Sequence, residues 1–82
     1  MTYKSMAKVI LMDVGGSENI NWLEYCSTRL RFGVKDERQT DIVHLKDERG
    51  IIGAYKSGEV YQVVPRKRPS GLYKALKKIG VK

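Results

Sequence analysis

The chain has 82 residues, 41% of them hydrophobic, and a formal net charge of +7, which predicts one folded domain (residues 1–82) and excludes wholesale disorder. One cysteine excludes an intramolecular disulfide, and one histidine leaves too few soft ligands for a structural zinc site, so we expect a cytoplasmic protein without a metal. No apolar run approaches the roughly 20 residues of a membrane span, and the first residues do not resemble a signal peptide.

The first predicted elements are a helix and two strands. Apolar residues recur at helical spacing over Met6–Val14, and a Gly-Gly pair follows, which predicts a helix that ends there. The segment INWLEY (residues 20–25) predicts a short strand that ends at Cys26. In TRLRFGVK (residues 28–35) apolar residues alternate with Arg29 and Arg31, which predicts a half-buried strand with two guanidinium groups on its open face.

The second half of the chain is predicted to contain a helix, two further strands and a final helix. A short helix is predicted to start near Thr40 or Asp41, either of which can cap a helix N-terminus. GIIGAYK and EVYQVV predict a hairpin with a Ser57-Gly58 turn, and Pro65 ends its second strand because proline cannot donate to a strand ladder. A final amphipathic helix is predicted from Ser70, with an apolar stripe formed by Leu72, Ala75, Leu76 and Ile79.

These elements predict an α+β fold with the order α-β-β-α-β-β-α. Two hairpins and three helices favour a four-stranded, mainly antiparallel sheet with all three helices on one face. The other face would then stay partly open, with Arg29 and Arg31 on it, next to the turn that carries Cys26.

The net positive charge comes from the segment after Pro65. Residues 1–65 hold nine basic and nine acidic side chains, whereas every charged residue from Arg66 to Lys82 is basic. Three interpretations stay open for this tail: a solvated helix face, attraction to anionic lipid or an acidic partner protein, and nucleic-acid binding.

The stretch YCSTRLRF (residues 25–32) contains the residues with the clearest chemical potential. A thiolate is a nucleophile, and nearby arginines and free backbone amides lower the pKa of a thiol and bind phosphate. Cys26 is thus either a packing residue or a nucleophile that Ser27, Thr28, Arg29 and Arg31 assist. A tyrosine-phosphatase loop is excluded, because it has an arginine six positions after its cysteine and this chain has Phe32 there.

The longer segment GGSENINWLEYCSTRLRFGVKD closely resembles enzyme IIB domains of the bacterial phosphoenolpyruvate-dependent sugar phosphotransferase system, glucose superfamily. The shared features are Gly-Gly, Glu-Asn-Ile, Cys-x-Thr-Arg-Leu-Arg and an acidic turn. DIVHLK, GIIGAYKSG and YQVV resemble later elements of that family, so the resemblance covers roughly Ala7 to Val64. The chain departs from the family after its last strand, where VVPRKRPSG replaces a frequent glycine, and this puts the partner surface in doubt.

The resemblance implies a phosphotransferase without a cofactor. Cys26 would accept a phosphoryl group from a phosphohistidine of a IIA component and pass it to a sugar bound by the membrane IIC component. Arg29 and Arg31 would stabilise the transferring group, and Ser27 and Thr28 would contribute phosphate-binding donors. The domain is expected at the inner face of the plasma membrane and, when isolated, as a monomer.

Two other functions remain as alternatives. A small nucleic-acid-binding module is supported by the basic tail and seven aromatic residues, although core packing in strands accounts for the aromatics. A regulatory IIB-like domain without transfer activity is disfavoured by the intact Cys26, Arg29 and Arg31. The single histidine, His44, is expected to be a partly exposed surface residue and not a phosphate carrier.

Overall fold

A computed structural model describes residues 2–81. It contains helices α1 (Tyr3–Val14), α2 (Ile42–Lys46) and α3 (Pro69–Ile79), and strands β1 (Ile20–Tyr25), β2 (Leu30–Val34), β3 (Ile51–Ser57) and β4 (Val60–Pro65). Two short 3-10 turns at Ser17–Asn19 and Glu37–Gln39, which the sequence did not predict, complete the fold.

The predicted fold class is confirmed. The sheet has the order β1-β2-β4-β3, and all three strand pairings are antiparallel. One set of strand side chains, which includes Leu30, Phe32 and Val63, is buried against the helices. The opposite set stays accessible, because no element of the described chain covers that face of the sheet.

Helix α1 differs from the prediction at its first residue and agrees with it at its last. The helix begins three residues earlier than expected, because Thr2 and Ser5 form a capping box in which the side chain of each accepts a hydrogen bond from the backbone N–H of the other. It ends at the expected place, since Gly15 adopts a left-handed conformation with φ 98° that other residues rarely adopt.

Strand β1 contains an irregularity that alternation alone does not predict. Its register against β2 shifts between Ile20 and Trp22, which is typical of a β-bulge. Because of this shift, Ile20 and Leu23 both face the core although they are three residues apart. Trp22 lies on the open face across Gly33, where a Cβ would overlap the indole ring.

Two details of the second half are corrections. The tight turn of the β3-β4 hairpin is Gly58-Glu59, one residue later than predicted, because Ser57 still pairs with Val60. Gly58 has φ 62° at the first central position, as a type II′ turn requires. In α3, Ile79 was expected in the buried stripe but is 38% exposed, because the helix ends there, before Gly80.

Asn19 of the Glu-Asn-Ile motif has a structural role. Its buried amide donates to the carbonyl oxygens of Val14 (2.7 Å) and Asp36 (3.0 Å), and its Oδ1 accepts from the Asp36 N–H (2.8 Å). These bonds join the end of α1 to the turn after β2. They explain why a polar residue is tolerated in the core at this position.

Candidate functional site

Cys26 lies at the tip of the β1-β2 hairpin, directly after β1, as predicted. The thiol is exposed, which excludes the alternative of a buried packing residue. Residues 26–29 connect the two strands, and the Cys26 N–H donates to the Arg29 carbonyl at 2.9 Å. Since the ladder of β1 and β2 continues up to this loop, the cysteine is held on a short connection between two ordered strands.

The loop places hydrogen-bond donors on one side of the exposed sulfur. The pKa of the Cys26 thiol is lowered, first by the backbone N–H of Thr28, then by the Thr28 hydroxyl and the backbone N–H of Arg29. The Thr28 Oγ1 lies 3.5 Å from Sγ. The positive charge of Arg29 adds a smaller effect. Such a nest of donors stabilises a thiolate, and it also suits the oxygens of a phosphoryl group.

Arg29 is fixed by side chains from the other hairpin. Its Nη1 donates to the Tyr55 hydroxyl and to Gln62 Oε1, each at 2.7 Å. The guanidinium carbon also lies 5.7 Å from the centre of the Tyr55 ring, within cation–π range. In the described part of the chain no hydrogen bond uses Nε or Nη2 of Arg29, so these donors can face a phosphoryl oxygen.

Arg31 occupies a different position on the open face. It pairs across the ladder with Glu24, and Arg31 Nη1 lies 3.3 Å from Glu24 Oε1. Both side chains are about half exposed, and exposed ion pairs of this kind are worth about 0 to 1 kcal/mol. Arg31 can therefore leave Glu24 for a stronger anion at little cost.

Ser27 and Thr28 differ in their surroundings. Thr28 contacts the sulfur directly, whereas the Ser27 side chain is exposed and makes no hydrogen bond within residues 2–81. The structure thus brings Thr28 and Arg29 next to Cys26, with Arg31 further along β2. The phosphate-binding role predicted for Ser27 has no contact that supports it.

Tyr55 and Gln62 are the site residues that sequence reasoning missed. The sequence contains an indication for Gln62, which is the polar residue between Tyr61 and Val63 in an otherwise apolar strand. Alternation assigns such a residue to the open face. Alternation alone does not show that β2 lies beside β4, and that pairing is what brings Gln62 to Arg29.

We expect Thr28→Val to raise the pKa of the Cys26 thiol part of the way back to that of an ordinary cysteine. The substitution removes the hydroxyl donor and keeps the backbone N–H groups, which include the largest cause of the shift. Because only the thiolate reacts, the rate of alkylation by iodoacetamide should then rise at a higher pH than in the unaltered protein. Ser27→Ala is the control and should leave the profile in place. An unchanged profile in Thr28→Val would contradict this role of the hydroxyl.

His44 takes no part in this site. It lies on α2 with its side chain 62% exposed, as expected for a surface residue, yet its Nδ1 contacts the buried carboxylate of Asp13. That contact raises the pKa of His44. Within residues 2–81, one set of histidine and carboxylate groups is close enough to share a cation, and it consists of Asp13, His44 and Glu48.

The arrangement of the aromatic residues bears on the nucleic-acid alternative. Phe32 and Tyr61 stack on each other inside the core, with ring centres 5.5 Å apart, and cannot stack on bases. Tyr25 packs on Tyr73 of α3, with ring centres 4.8 Å apart. On the open face of the described sheet, Trp22 and Tyr55 are the residues that present rings beside the arginines.

Fold and site together define a small α+β domain that presents one exposed cysteine in a nest of donors beside a braced arginine. A family model described as phosphotransferase system, EIIB matches residues 8–41. The crystal structure of one domain of the PTS system IIabc component from Clostridium difficile superimposes with a TM-score of 0.80, at 26% identity over 98% of this chain and 84% of that one.

Curated relatives agree with the family model. The PTS system beta-glucoside-specific EIIBCA component of Halalkalibacterium halodurans is 42% identical over 80 residues, which is 98% of this chain and 13% of that protein. The PTS system sucrose-specific EIIBC component of Bacillus subtilis is 39% identical over 64 residues, which is 78% of this chain and 14% of that protein. The chain belongs to the EIIB family of the phosphotransferase system.

Two further facts concern the length of the chain relative to these proteins and the character of its helices. The chain spans about 13% of the length of the first of these relatives, which also carry other components of the system. None of the helices described for residues 2–81 combines the length and the apolar character needed to cross a bilayer.

Proposed function

We propose that this chain is a phosphocysteine carrier of a sugar phosphotransferase system. Cys26 accepts a phosphoryl group from a phosphohistidine of a IIA component and passes it to a sugar bound by the membrane IIC component. The observation that carries the proposal is the exposed Cys26 sulfur, which lies 3.5 Å from the Thr28 hydroxyl in a loop whose backbone N–H groups lower the pKa of the thiol. Membership of the EIIB family supports the same role.

The first step is attack of the Cys26 thiolate on the phosphorus. The S–P bond forms while the N–P bond of phosphohistidine breaks, and the imidazole keeps the electron pair. In the second step a sugar hydroxyl oxygen attacks the phosphorus, the S–P bond breaks with its electron pair left on sulfur as the thiolate, and the hydroxyl proton passes to water. Such transfers depend on in-line positioning and on positive charge around the equatorial oxygens more than on covalent assistance.

The residues of the loop divide this work. The Thr28 and Arg29 amides hold the sulfur or the phosphoryl oxygens, and the Thr28 hydroxyl adds a donor. Arg29, braced by Tyr55 and Gln62, offers Nε and Nη2 to the phosphoryl group. Arg31 leaves its exposed pair with Glu24 when the phosphoryl group and the partner arrive. The positive charge needed for transfer is thus supplied by arginines, without a metal beside Cys26.

The partners follow from the names of the relatives. Those proteins join EIIB to EIIC, or to EIIC and EIIA, in one chain, which supports IIA and IIC components as donor and acceptor partners here. Their names specify beta-glucosides and sucrose, and we propose a glucoside of this kind as the sugar. The domain would act as a monomer on the cytoplasmic side of the membrane, where both partners reach the open face in turn.

The test is phosphorylation by a donor chain followed by mapping of the modified residue. The domain is incubated with phosphoenolpyruvate, the general phosphotransferase proteins and a IIA component, and intact mass is measured. One added phosphate, found on the peptide that contains Cys26, is the expected result. Phosphate on the peptide that contains His44, or none at all, would refute the proposal. His44→Gln is the matched control and should still be phosphorylated.

A further inference from the structure

A cluster of three ionisable side chains lies away from Cys26, where α2 meets the end of α1. Asp13 is on the last turn of α1, His44 is on α2, and Glu48 follows α2. The Nδ1 of His44 lies 2.5 Å from Asp13 Oδ1 and 3.4 Å from Glu48 Oε2. All three groups offer a ligand atom within 4.8 Å of the others.

Asp13 has an unpartnered oxygen that points to a missing ligand. Its side chain is 6% exposed, and its Oδ2 has no hydrogen-bond partner within residues 2–81. A buried carboxylate oxygen without a partner costs free energy, and native structures seldom leave one unexplained. A proton or a cation inside the cluster would give this oxygen a partner and remove that cost.

The cluster also carries more negative than positive charge. Two carboxylates face one imidazole, and Asp41 and Asp47 add negative charge near His44 and Glu48 respectively. This excess of negative charge favours a bound cation.

We propose that Asp13, His44 and Glu48 bind a divalent transition-metal cation, with Zn²⁺ as the best fit, and so clamp α2 to α1. One imidazole nitrogen and two carboxylate oxygens form a three-residue set of zinc ligand types that leaves a fourth position for water. The exposed side of His44 supplies access for that water. Mg²⁺ fits poorly, because it prefers oxygen ligands to imidazole.

The distances agree with this ion after a small adjustment. Bonds of about 2.0 to 2.1 Å to a tetrahedral zinc ion place ligand atoms roughly 3.3 Å apart. The His44–Glu48 separation of 3.4 Å already meets that value. The shorter His44–Asp13 contact must lengthen, or the ion must take the unpartnered Oδ2 of Asp13. The His44 side chain is 62% exposed, which leaves room for this adjustment.

The experiment uses Cys26→Ser as the starting protein, so that zinc bound by the thiolate cannot contribute. Isothermal titration with ZnCl₂ near pH 7.5 should show one bound equivalent, and saturating Zn²⁺ should raise the melting temperature. MgCl₂ at the same concentration should do neither. His44→Gln and Glu48→Gln, each added to this protein, should weaken Zn²⁺ binding by more than roughly tenfold, since even the loss of a second-shell partner has an effect of that order.

Two variants keep the test independent of folding. The side-chain amide that Glu48→Gln introduces can donate to Asp13 Oδ2, so this variant should melt without zinc at least as high as its parent. Glu18→Gln, an exposed acid outside the cluster, is the matched control and should bind Zn²⁺ unchanged. Absence of Zn²⁺ binding at millimolar concentration would overturn the proposal and leave a proton as the occupant. Full binding in both His44→Gln and Glu48→Gln would also overturn it.

Discussion

Cys26→Ser is expected to abolish phosphoryl transfer from the IIA component to sugar. A serine hydroxyl is not ionised near neutral pH, and the donors around the sulfur favour an anion that serine does not supply. Loss of a catalytic nucleophile reduces turnover by roughly 10⁴-fold or more in enzymes where it has been measured. The measurement is sugar phosphate formed by a reconstituted system containing phosphoenolpyruvate, IIA and IIC.

The same substitution should leave the fold intact. Cys26 is exposed and contributes no side chain to the core, so the circular dichroism spectrum and the melting temperature should change little. A folded Cys26→Ser protein that transfers phosphate at the normal rate would show that another residue is the carrier. A folded Cys26→Ser protein that transfers phosphate far more slowly than the unaltered protein would support the assignment.

Arg29→Gln is expected to reduce transfer by about 10³-fold without unfolding the domain. An arginine that stabilises a transferring phosphoryl group contributes roughly 10³- to 10⁵-fold in other phosphoryl-transfer enzymes. Glutamine keeps an amide that can still contact Gln62 or Tyr55 but carries no charge. Arg29→Lys restores the charge and loses the planar fork, so it should recover only part of the rate.

Comparison with other arginines makes this prediction specific. Arg38→Gln alters an exposed arginine that pairs with Asp36, outside the site, and should transfer normally. Arg31→Gln should fall between the two if Arg31 acts after leaving Glu24. Equal rates for Arg29→Gln and Arg38→Gln would refute the role of Arg29. The rates of phosphorylation by IIA and of transfer to sugar are measured separately, because the two arginines can serve different steps.

Local signals made most of the fold predictable. Gly-Gly after α1, Asp41 before α2 and Pro65 at the end of β4 act on their own backbone, so their effects can be predicted without the fold. The errors were also local in scale. A capping box extended α1, and the β3-β4 turn moved by one residue because strand pairing, not residue type, fixes the register.

The candidate site likewise combines residues that are neighbours in the sequence with residues that are far apart in it. Cys26, Thr28 and Arg29 belong to one four-residue loop, and the resemblance to IIB domains predicted a role for them from the sequence alone. The braces of Arg29 come from residues 26 and 33 positions away, Tyr55 and Gln62. The expectation of no metal came from counting cysteine and histidine, and it did not consider carboxylates that the fold brings to His44.

The sequence by itself determined the order of the elements, the face that carries the arginines and the place of Cys26 directly after β1, because each depends on residues that are neighbours along the chain. The tertiary structure decided the bulge that turns Leu23 inward, the pairing of β2 with β4, and the meeting of Asp13 with His44. These features depend on which distant segments pack together. That choice is made by burial of the whole core, and no short stretch of sequence contains it.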